Sequence, residues 1–490
     1  MTLIRRLVGL AADTALGLPL RAGRYDIEPD VAVPMPDGVS LLGNLYRPAG
    51  RRGPLPVVLV RLPYGRSGMP GQLFAAPLAR RGFQVFLQAT RGTFGSGGHF
   101  RPFTTEREDG LATVAWLREQ PWCDGRVAMT GLSYFGHTQW AVAPYVDPPL
   151  QAVDVAVAGA PVPFWRDFVA HSGPGDDFWS VADHGRADFH RMPPVNMVTG
   201  WWDVFAAGQL ADDSALRAAG VPARIVVGPW LHGEAGELRA IARSDVEFLR
   251  HTLSNGPAPS GAPVRVFLQQ ADTWLELDHW PPPHAQQLVQ HVRAGGALSV
   301  DAEDGDVAPS RFTYDPADPT PTVGGPLLQR PGKQADNRSV EDRADVLVFT
   351  GPPLPSDLDV VGQVRARVHV RTELEHADVF VRLCDVDPTG ASRNVVDGIR
   401  RLDPRTVPAD DVEVCDDGVL AVDVELYPTA YRVRAGHRLR LQVSGGAFPR
   451  YARSLGTAEP FGTATEGRSC RFEVHHDAAH PSRLVLPVVR

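Results

Sequence analysis

The chain has 490 residues, of which 43% are hydrophobic and 22% charged, the balance of a soluble globular protein. This length exceeds what one ordinary core organises, so about two to three domains are expected. The formal net charge of −8 excludes the basic surplus that a nucleic-acid partner requires, and no apolar run reaches the roughly 18 residues of a membrane-spanning helix.

The amino-terminal segment and the cysteines both bear on location. Arg5 and Arg6 precede an apolar stretch, 7–20, which contains Asp13 and lacks a clear small-residue cleavage site. A short amphipathic helix is therefore favoured over a signal peptide. Four scattered cysteines form no CxxC pair, which argues against a disulfide framework and against a thiolate zinc site. We expect a cytoplasmic protein, with export through residues 7–20 as the alternative.

Residues 1–159 alternate between predicted strands and predicted helices. Stretches 27–33 and 39–46 flank a Pro-Asp-Gly turn, which predicts an antiparallel hairpin. Hydrophobic patterning predicts further strands and two helices; the strands are 56–60, 83–87, 126–130 and 155–158, and the helices are 73–81 and about 111–117. This alternation indicates a mostly parallel sheet with helices on both faces.

The pattern breaks over residues 160–192, where aromatic and acidic residues predominate. Strands are again predicted at 195–199 and 224–228, followed by a helix at 237–251. Beyond residue 310, apolar residues alternate with polar ones at 364–370, 420–426 and 439–443, which is typical of a β-sandwich. The sequence thus predicts an α/β domain over 1–159 and 193–310, an insertion at 160–192, and a β-sandwich over 311–490.

Ser133 carries the strongest chemical signal in the sequence. A predicted strand runs through Gly131 into Ser133 and a helix follows, which is the context of a nucleophile elbow. The second glycine of the usual G-x-S-x-G pattern comes one place late, at Gly136. A serine that only caps the helix is the alternative interpretation.

A serine nucleophile needs a base, and the base needs an orienting acid. In α/β hydrolases these follow in the order Ser, Asp or Glu, His, each after a later strand. Asp203 follows the predicted strand 195–199, and His232 follows 224–228. Both lie just past strand carboxyl ends, where ligands bind in open α/β sheets. The order predicts a catalytic triad of Ser133, Asp203 and His232.

With these motifs, the chain resembles the bacterial cocaine esterase and X-Pro dipeptidyl-peptidase family of serine hydrolases. The family's G-x-S-Y-x-G elbow is matched by residues 131–136, its G-W-x-D-x-F acid segment by 200–205, and its G-P-W-x-H histidine segment by 228–232. Further matches lie at 314–319, 434–438, 448–451 and 480–486. The resemblance extends through nearly the whole chain and accounts for the displaced glycine of the elbow.

The resemblance implies an α/β-hydrolase domain with a small helical cap insertion, followed by a C-terminal jelly-roll β-sandwich. It also implies an oxyanion hole formed by the backbone N–H of Tyr134 and the phenol of Tyr64. The expected substrate is a small-molecule ester or amide, with no cofactor, no metal, and no membrane or nucleic-acid partner; a homodimer stays open. Four aromatic residues are expected to line an apolar acyl pocket: Phe164, Trp165, Phe168 and Phe205.

Ester hydrolysis by an acyl-enzyme mechanism is the main functional prediction. The alternative is an X-Pro dipeptidyl-peptidase-type aminopeptidase or an α-amino acid ester hydrolase or acylase, enzymes that hold a substrate α-ammonium group. Insertion carboxylates that could do so are Asp176, Asp177, Asp183 and Asp188, although solvated surface charge explains them equally well. A non-catalytic binding protein on the same fold is the third hypothesis, disfavoured because all three triad residues are kept.

Overall fold

A computed structural model describes residues 10–19, 23–51, 53–156, 177–185, 187–328, 332–404, 409–459 and 464–489. The chain divides into two compact units. The first contains Met1–Gly200 and Gly208–Val264, and the second contains Trp201–Ala207 and Arg265–Arg490. The predicted pocket residues Phe164, Trp165 and Phe168 lie outside the described residues, as does most of the predicted insertion.

The first unit is organised around one sheet. Its strands are β1 (Tyr25–Pro34), β2 (Ser40–Pro48), β3 (Leu55–Leu62), β4 (Gln84–Ala89), β5 (Cys123–Leu132), β6 (Val153–Ala156), β7 (Val195–Trp202) and β8 (Ala223–Leu231). The strand order is β1-β2-β4-β3-β5-β6-β7-β8. Strands β1, β2 and β4 pair antiparallel, whereas β4-β3-β5-β6-β7 pair parallel. The predicted hairpin and the mostly parallel sheet are therefore confirmed.

Helices connect these strands. They are α1 (Ala76–Arg80), α2 (Glu106–Arg118), α3 (Tyr134–Trp140), α4 (Ala206–Ala218) and α5 (Ala235–Ser254). A five-residue π-helical turn, Gly71–Ala75, precedes α1, so the helix predicted at 73–81 forms in two pieces. Pro77 lies in the first turn of α1, where its missing N–H breaks no helical hydrogen bond.

The amino-terminal segment packs into this first unit. Residues 10–15 are helical, and Leu16 and Leu18 join the buried core. The carboxylate of Asp13 is fully buried and pairs with Arg80 and Arg81 at 2.8 Å each. Among the described residues, no helix is both long and apolar enough to cross a bilayer.

The second unit consists mainly of β-strands. They are β9 (Val264–Leu268), β10 (Thr273–Leu277), β11 (Gln286–Arg293), β12 (Ala297–Ser299), β13 (Ser310–Tyr314), β14 (Val346–Thr350), β15 (Leu358–Thr372), β16 (Ala377–Val386), β17 (Ser392–Leu402), β18 (Val412–Val414), β19 (Leu420–Val433), β20 (Arg438–Ser444), β21 (Cys470–His475) and β22 (Arg483–Val489), with one short helix, α6 (Arg338–Glu341). One sheet has the order β13-β21-β15-β22-β11-β12-β14-β20-β16-β17, and β19 pairs with β15 and β18. Inward-facing apolar residues of the strands from β11 onwards form a buried cluster, as the period-two alternation predicted.

The division between the units differs from the predicted boundary at residue 310. The structure divides the chain at Val264 and Arg265, because β11 pairs with β22 and β12 pairs with β14. The polar residues Gln286, Gln287 and Gln290 weaken the hydrophobic alternation of β11. These early strands therefore give no clear β signal in the sequence.

Candidate active site

Ser133 lies in a strained turn between β5 and α3. Its backbone has φ 71° and ψ −137°, a region that side-chain-bearing residues rarely adopt and that is typical of functional positions. Gly131, with φ 143°, permits this turn, since a Cβ there would lie 2.1 Å from the ring of Phe135. The Ser133 hydroxyl makes no capping hydrogen bond to α3. The conformation is that of a nucleophile elbow rather than of an ordinary helix cap.

Tyr64 lies beside this serine, on the loop that follows β3. Strands β3 and β5 are neighbours, so their carboxyl ends bring the loop of Tyr64 to the elbow. The Tyr64 phenol lies close enough to Ser133 for the serine to influence its pKa, and the Tyr64 ring packs edge-on against Phe135 at 6.1 Å between ring centroids. Burial raises the pKa of the Tyr64 phenol, and the nearby side chain of Ser133 opposes this shift. The phenol therefore keeps its proton at neutral pH and can act as a hydrogen-bond donor.

The side chain of Tyr134 is fixed by a buried network that the sequence did not reveal. Its hydroxyl donates to Oε1 of Glu106 at 2.7 Å and accepts from the Phe103 N–H at 3.1 Å. Glu106 in turn pairs with the fully buried Arg61 at 3.2 Å, and burial raises the pKa values of Glu106 and Tyr134. Because Tyr134 is the first residue of α3, its backbone N–H has no partner within the helix. The network thus holds an available N–H directly after the serine.

His232 follows β8, on a loop held by two carboxylates. The Leu231 N–H donates to Glu234 at 2.9 Å, and the Gly233 N–H donates to Oε2 of Glu237 at 2.6 Å. Glu237 is fully buried in the first turn of α5, and one of its carboxylate oxygens lies within 4.8 Å of a ring nitrogen of His232. The backbone amides on both sides of His232 are therefore fixed. Neither glutamate was predicted from the sequence.

Asp203 directly follows β7 and is fully buried. Its Oδ1 accepts a hydrogen bond from the Phe205 N–H at 3.0 Å, which orients the carboxylate. Its loop, Trp201–Ala207, groups with the second unit, where the hydroxyl of Tyr427 donates to the Val204 carbonyl at 3.2 Å. Phe205 lies two residues after the acid and is half-buried. Its contact with an acyl group stays a prediction.

The strands that carry the predicted triad share one direction. Strands β5, β6 and β7 pair parallel. The Val195 N–H bonds to the Pro222 carbonyl near the start of β7, and Gly200 lies against the backbone of Trp230 near its end, so β8 is parallel to β7 as well. All three predicted triad residues therefore come at carboxyl ends of parallel strands, at one edge of the sheet.

These elements have the parts that acyl transfer requires. A serine hydroxyl lies in a strained elbow, and a phenol and a backbone N–H lie beside it, where they could donate hydrogen bonds to a developing oxyanion. The imidazole and the carboxylate follow later strands in the order of α/β hydrolases. Proton transfer and charge stabilisation can all be supplied by protein groups, so this chemistry needs no cofactor.

Replacing Tyr64 by phenylalanine should lower kcat for ester hydrolysis by about 10²–10³-fold with little change in KM, because an oxyanion donor acts in the transition state. Steady-state kinetics on a nitrophenyl ester would measure this. The control is Tyr25→Phe, which removes a hydroxyl from a buried tyrosine in β1 and should leave kcat near the wild-type value. Equal kcat values for the two variants would remove Tyr64 from the oxyanion hole.

Comparison with known proteins gives two family matches and several full-length similarities. The X-Pro dipeptidyl-peptidase (S15 family) model matches residues 37–162. The X-Pro dipeptidyl-peptidase C-terminal non-catalytic domain model matches residues 259–485. The cocaine esterase of Rhodococcus sp. (strain MB1 Bresler) is 28% identical, over 96% of this chain and 99% of that protein.

Two solved structures share the architecture over almost their full lengths. An aminopeptidase from the marine sediment archaeon Thaumarchaeota archaeon has a TM-score of 0.80 at 22% identity, covering 96% of this chain and 97% of that one. An α-amino acid ester hydrolase has a TM-score of 0.79 at 22% identity, covering 96% of this chain and 98% of that one. The predicted fold class, an α/β domain followed by an all-β domain, is confirmed.

Proposed function

Since the chain belongs to the cocaine esterase and X-Pro dipeptidyl-peptidase family of serine hydrolases, we propose that Ser133 is its nucleophile and that it hydrolyses carboxylic esters. The observation that carries the assignment is the backbone of Ser133, which has φ 71° while its side chain makes no capping hydrogen bond to α3. Backbone strain at a residue with no capping role is typical of a reactive site.

In the proposed mechanism, His232 takes the hydroxyl proton as Ser133 Oγ attacks the ester carbonyl. Asp203 holds the imidazole tautomer and stabilises the imidazolium. The tetrahedral oxyanion accepts hydrogen bonds from the Tyr64 phenol and the Tyr134 N–H. His232 then gives its proton to the leaving alkoxide, which departs as the alcohol. A water molecule, deprotonated by His232, attacks the acyl-enzyme; the acid is released and Ser133 regains its proton.

Local turns account for two of the four insertion carboxylates that could hold an α-ammonium group, whereas the exposed Asp177 stays a candidate. The carboxylate of Asp183 accepts a hydrogen bond from the Gly185 N–H at 3.0 Å, and that of Asp188 accepts one from the His190 N–H at 3.1 Å. These are local turn contacts, which suffice to explain both acidic residues. Asp176 lies outside the described residues. An aminopeptidase or amino acid ester hydrolase, the activities of the two solved relatives, is the second candidate.

A matched substrate pair separates the two candidates. Methyl phenylacetate and phenylglycine methyl ester differ only in the α-amino group, so their kcat/KM ratio isolates recognition of the ammonium. We expect the two values to agree within about tenfold, equivalent to about 1.4 kcal/mol, and an X-Pro arylamide to be cleaved more slowly than either ester. A preference above about 10²-fold for the amino ester, or faster arylamide cleavage, would replace the esterase assignment.

We also propose a cytoplasmic location for the protein. All four cysteines are free thiols, and three of them are buried. Free thiols are stable in a reducing compartment. The test is to express the chain fused to either of two reporters, one that is active only in the periplasm and one that is active only in the cytoplasm. We expect activity from the cytoplasmic reporter alone.

A further inference from the structure

A cluster of imidazole and carboxylate groups lies in the second unit, at the end of β21 and in the loop that leads to β22. His475, Asp477 and His480 each offer one ligand atom, and these atoms all lie within 4.8 Å of one another. Nδ1 of His480 is 3.3 Å from Oδ2 of Asp477, and Nδ1 of His475 is 3.8 Å from the same oxygen. Ligand atoms around a tetrahedral zinc ion are about 3.3–3.5 Å apart, given bonds of 2.0–2.2 Å. Small side-chain rotations would bring the three atoms around one cation.

The second nitrogen of each imidazole also faces a carboxylate. Nε2 of His480 is 3.5 Å from Asp417, and Nε2 of His475 is 3.9 Å from Glu473. Metal-binding histidines usually direct their other ring nitrogen to a carboxylate or carbonyl, which fixes the ring and increases its basicity. Both histidines therefore have Nδ1 towards a shared oxygen. Nε2 of His480 is directed at a separate acid, as in a metal site with a supporting carboxylate, whereas Nε2 of His475 is buried without a hydrogen-bond partner.

Burial and access are consistent with a bound cation. His475 is 9% exposed and Asp477 is 8% exposed. They line an open surface cavity of about 420 Å³, together with His480, Asp417 and residues 305–309. A cation could enter through this cavity, and a water molecule could occupy a fourth ligand position. His475, Asp477 and His480 would thus occupy three of the four ligand positions of a tetrahedral site.

A third imidazole, with one buried nitrogen that has no hydrogen-bond partner, lies next to the cluster. His369 on β15 pairs in register with His475, and its ring lies 5.7 Å from that of His480. His369 is 6% exposed, and its Nδ1 is buried with no hydrogen-bond partner.

Local turn geometry explains only part of this arrangement. Oδ1 of Asp477 accepts hydrogen bonds from the N–H groups of Ala479 and His480, at 2.8 and 3.0 Å. These contacts stabilise the loop, and Nδ1 of His480 also lies 3.2 Å from this oxygen. Oδ2 accepts neither backbone bond and lies near both imidazoles. They do not account for three neighbouring histidines, two of which are paired with additional acids.

We propose that His475, Asp477 and His480 bind one divalent transition-metal ion, preferentially zinc, which fastens the loop between β21 and β22. Two imidazole nitrogens and one carboxylate oxygen suit zinc, whereas calcium and magnesium favour oxygen ligands alone. The site is distant in sequence from every residue of the proposed triad, and its role is structural. It does not depend on the proposed esterase activity.

The test uses the full chain after dialysis against a chelator, followed by incubation with zinc chloride and gel filtration. Metal analysis should find one zinc per wild-type chain and less than about a tenth of that in His475→Ala and His480→Ala. Zinc at about 100 times its Kd should raise the wild-type melting temperature by about 5 °C and leave both variants unchanged. The matched control is His284→Ala, which removes an exposed histidine of the same unit and should retain the full zinc content.

Cobalt(II) gives a readout that needs no variant. It should produce the visible absorption of a tetrahedral nitrogen–oxygen site in wild type, and zinc should abolish that absorption. His232→Ala, which removes the imidazole of the proposed active site, should bind as much zinc as wild type. Wild-type protein without stoichiometric zinc and without the cobalt spectrum would overturn the proposal. Loss of zinc in His232→Ala but not in His480→Ala would do the same.

Discussion

The Ser133→Ala variant should lose ester hydrolysis by about 10⁴–10⁶-fold in kcat while remaining folded. The serine side chain supplies the nucleophilic oxygen in the proposed mechanism, and alanine has no oxygen to take its place. The residual rate should come from the oxyanion donors and from substrate binding alone. Alanine keeps a Cβ in the same strained backbone, so the change removes the reacting atom and little else.

Fluorophosphonate labelling provides an independent measurement of the same assignment. Wild-type protein should bind one label per chain, and Ser133→Ala should bind none. The control is Ser260→Ala, which changes an exposed serine of the first unit and should label fully. If Ser133→Ala were labelled as strongly as wild type, Ser133 would not be the nucleophile.

The elements around Ser133 were predictable because their local signals agree with their tertiary environment. Strand β4 is buried along its whole length, as expected for a strand covered on both faces, and the apolar run Val85–Leu87 at its centre is the signal that predicted it. The hairpin of β1 and β2 has a turn sequence that matches its geometry. Motif order along the chain then placed the proposed triad at strand ends.

The supporting residues could not be predicted because their partners are far away in sequence. Arg61 and Glu106 are ordinary charged residues until the fold buries them together, and only then does Glu106 fix the hydroxyl of Tyr134. Glu237 lies in the first turn of α5, where an acidic side chain commonly interacts favourably with the helix dipole. Its carboxylate accepts a hydrogen bond from the Gly233 N–H, and the sequence does not predict this contact because it forms only in the folded loop that carries His232.

The Asp203→Asn variant should lose about 10⁴-fold in kcat with little change in KM. Its amide oxygen can still accept the hydrogen bond that the Phe205 N–H makes to Oδ1. The turn is therefore preserved. At the other carboxylate position, however, an NH₂ donor replaces an acceptor, and it would hold the imidazole of His232 in the wrong tautomer. A purely structural Asp203 would tolerate this change, so steady-state kinetics of the asparagine variant separate catalysis from folding.

Glu237 is the rival acid, because one of its carboxylate oxygens lies within 4.8 Å of a nitrogen of His232. Glu237→Gln retains an oxygen that can accept from the Gly233 N–H, and its kcat should stay within about tenfold of wild type if Glu237 only positions the loop. Asp278→Asn, at an exposed site, is the control for the loss of one negative charge. A large loss in Glu237→Gln together with near-normal activity in Asp203→Asn would transfer the role of the acid to Glu237. We expect the opposite ranking, with the larger loss in Asp203→Asn. The Glu237 carboxylate already accepts a hydrogen bond from a backbone N–H of the loop that carries His232, so its role is to hold this loop in place.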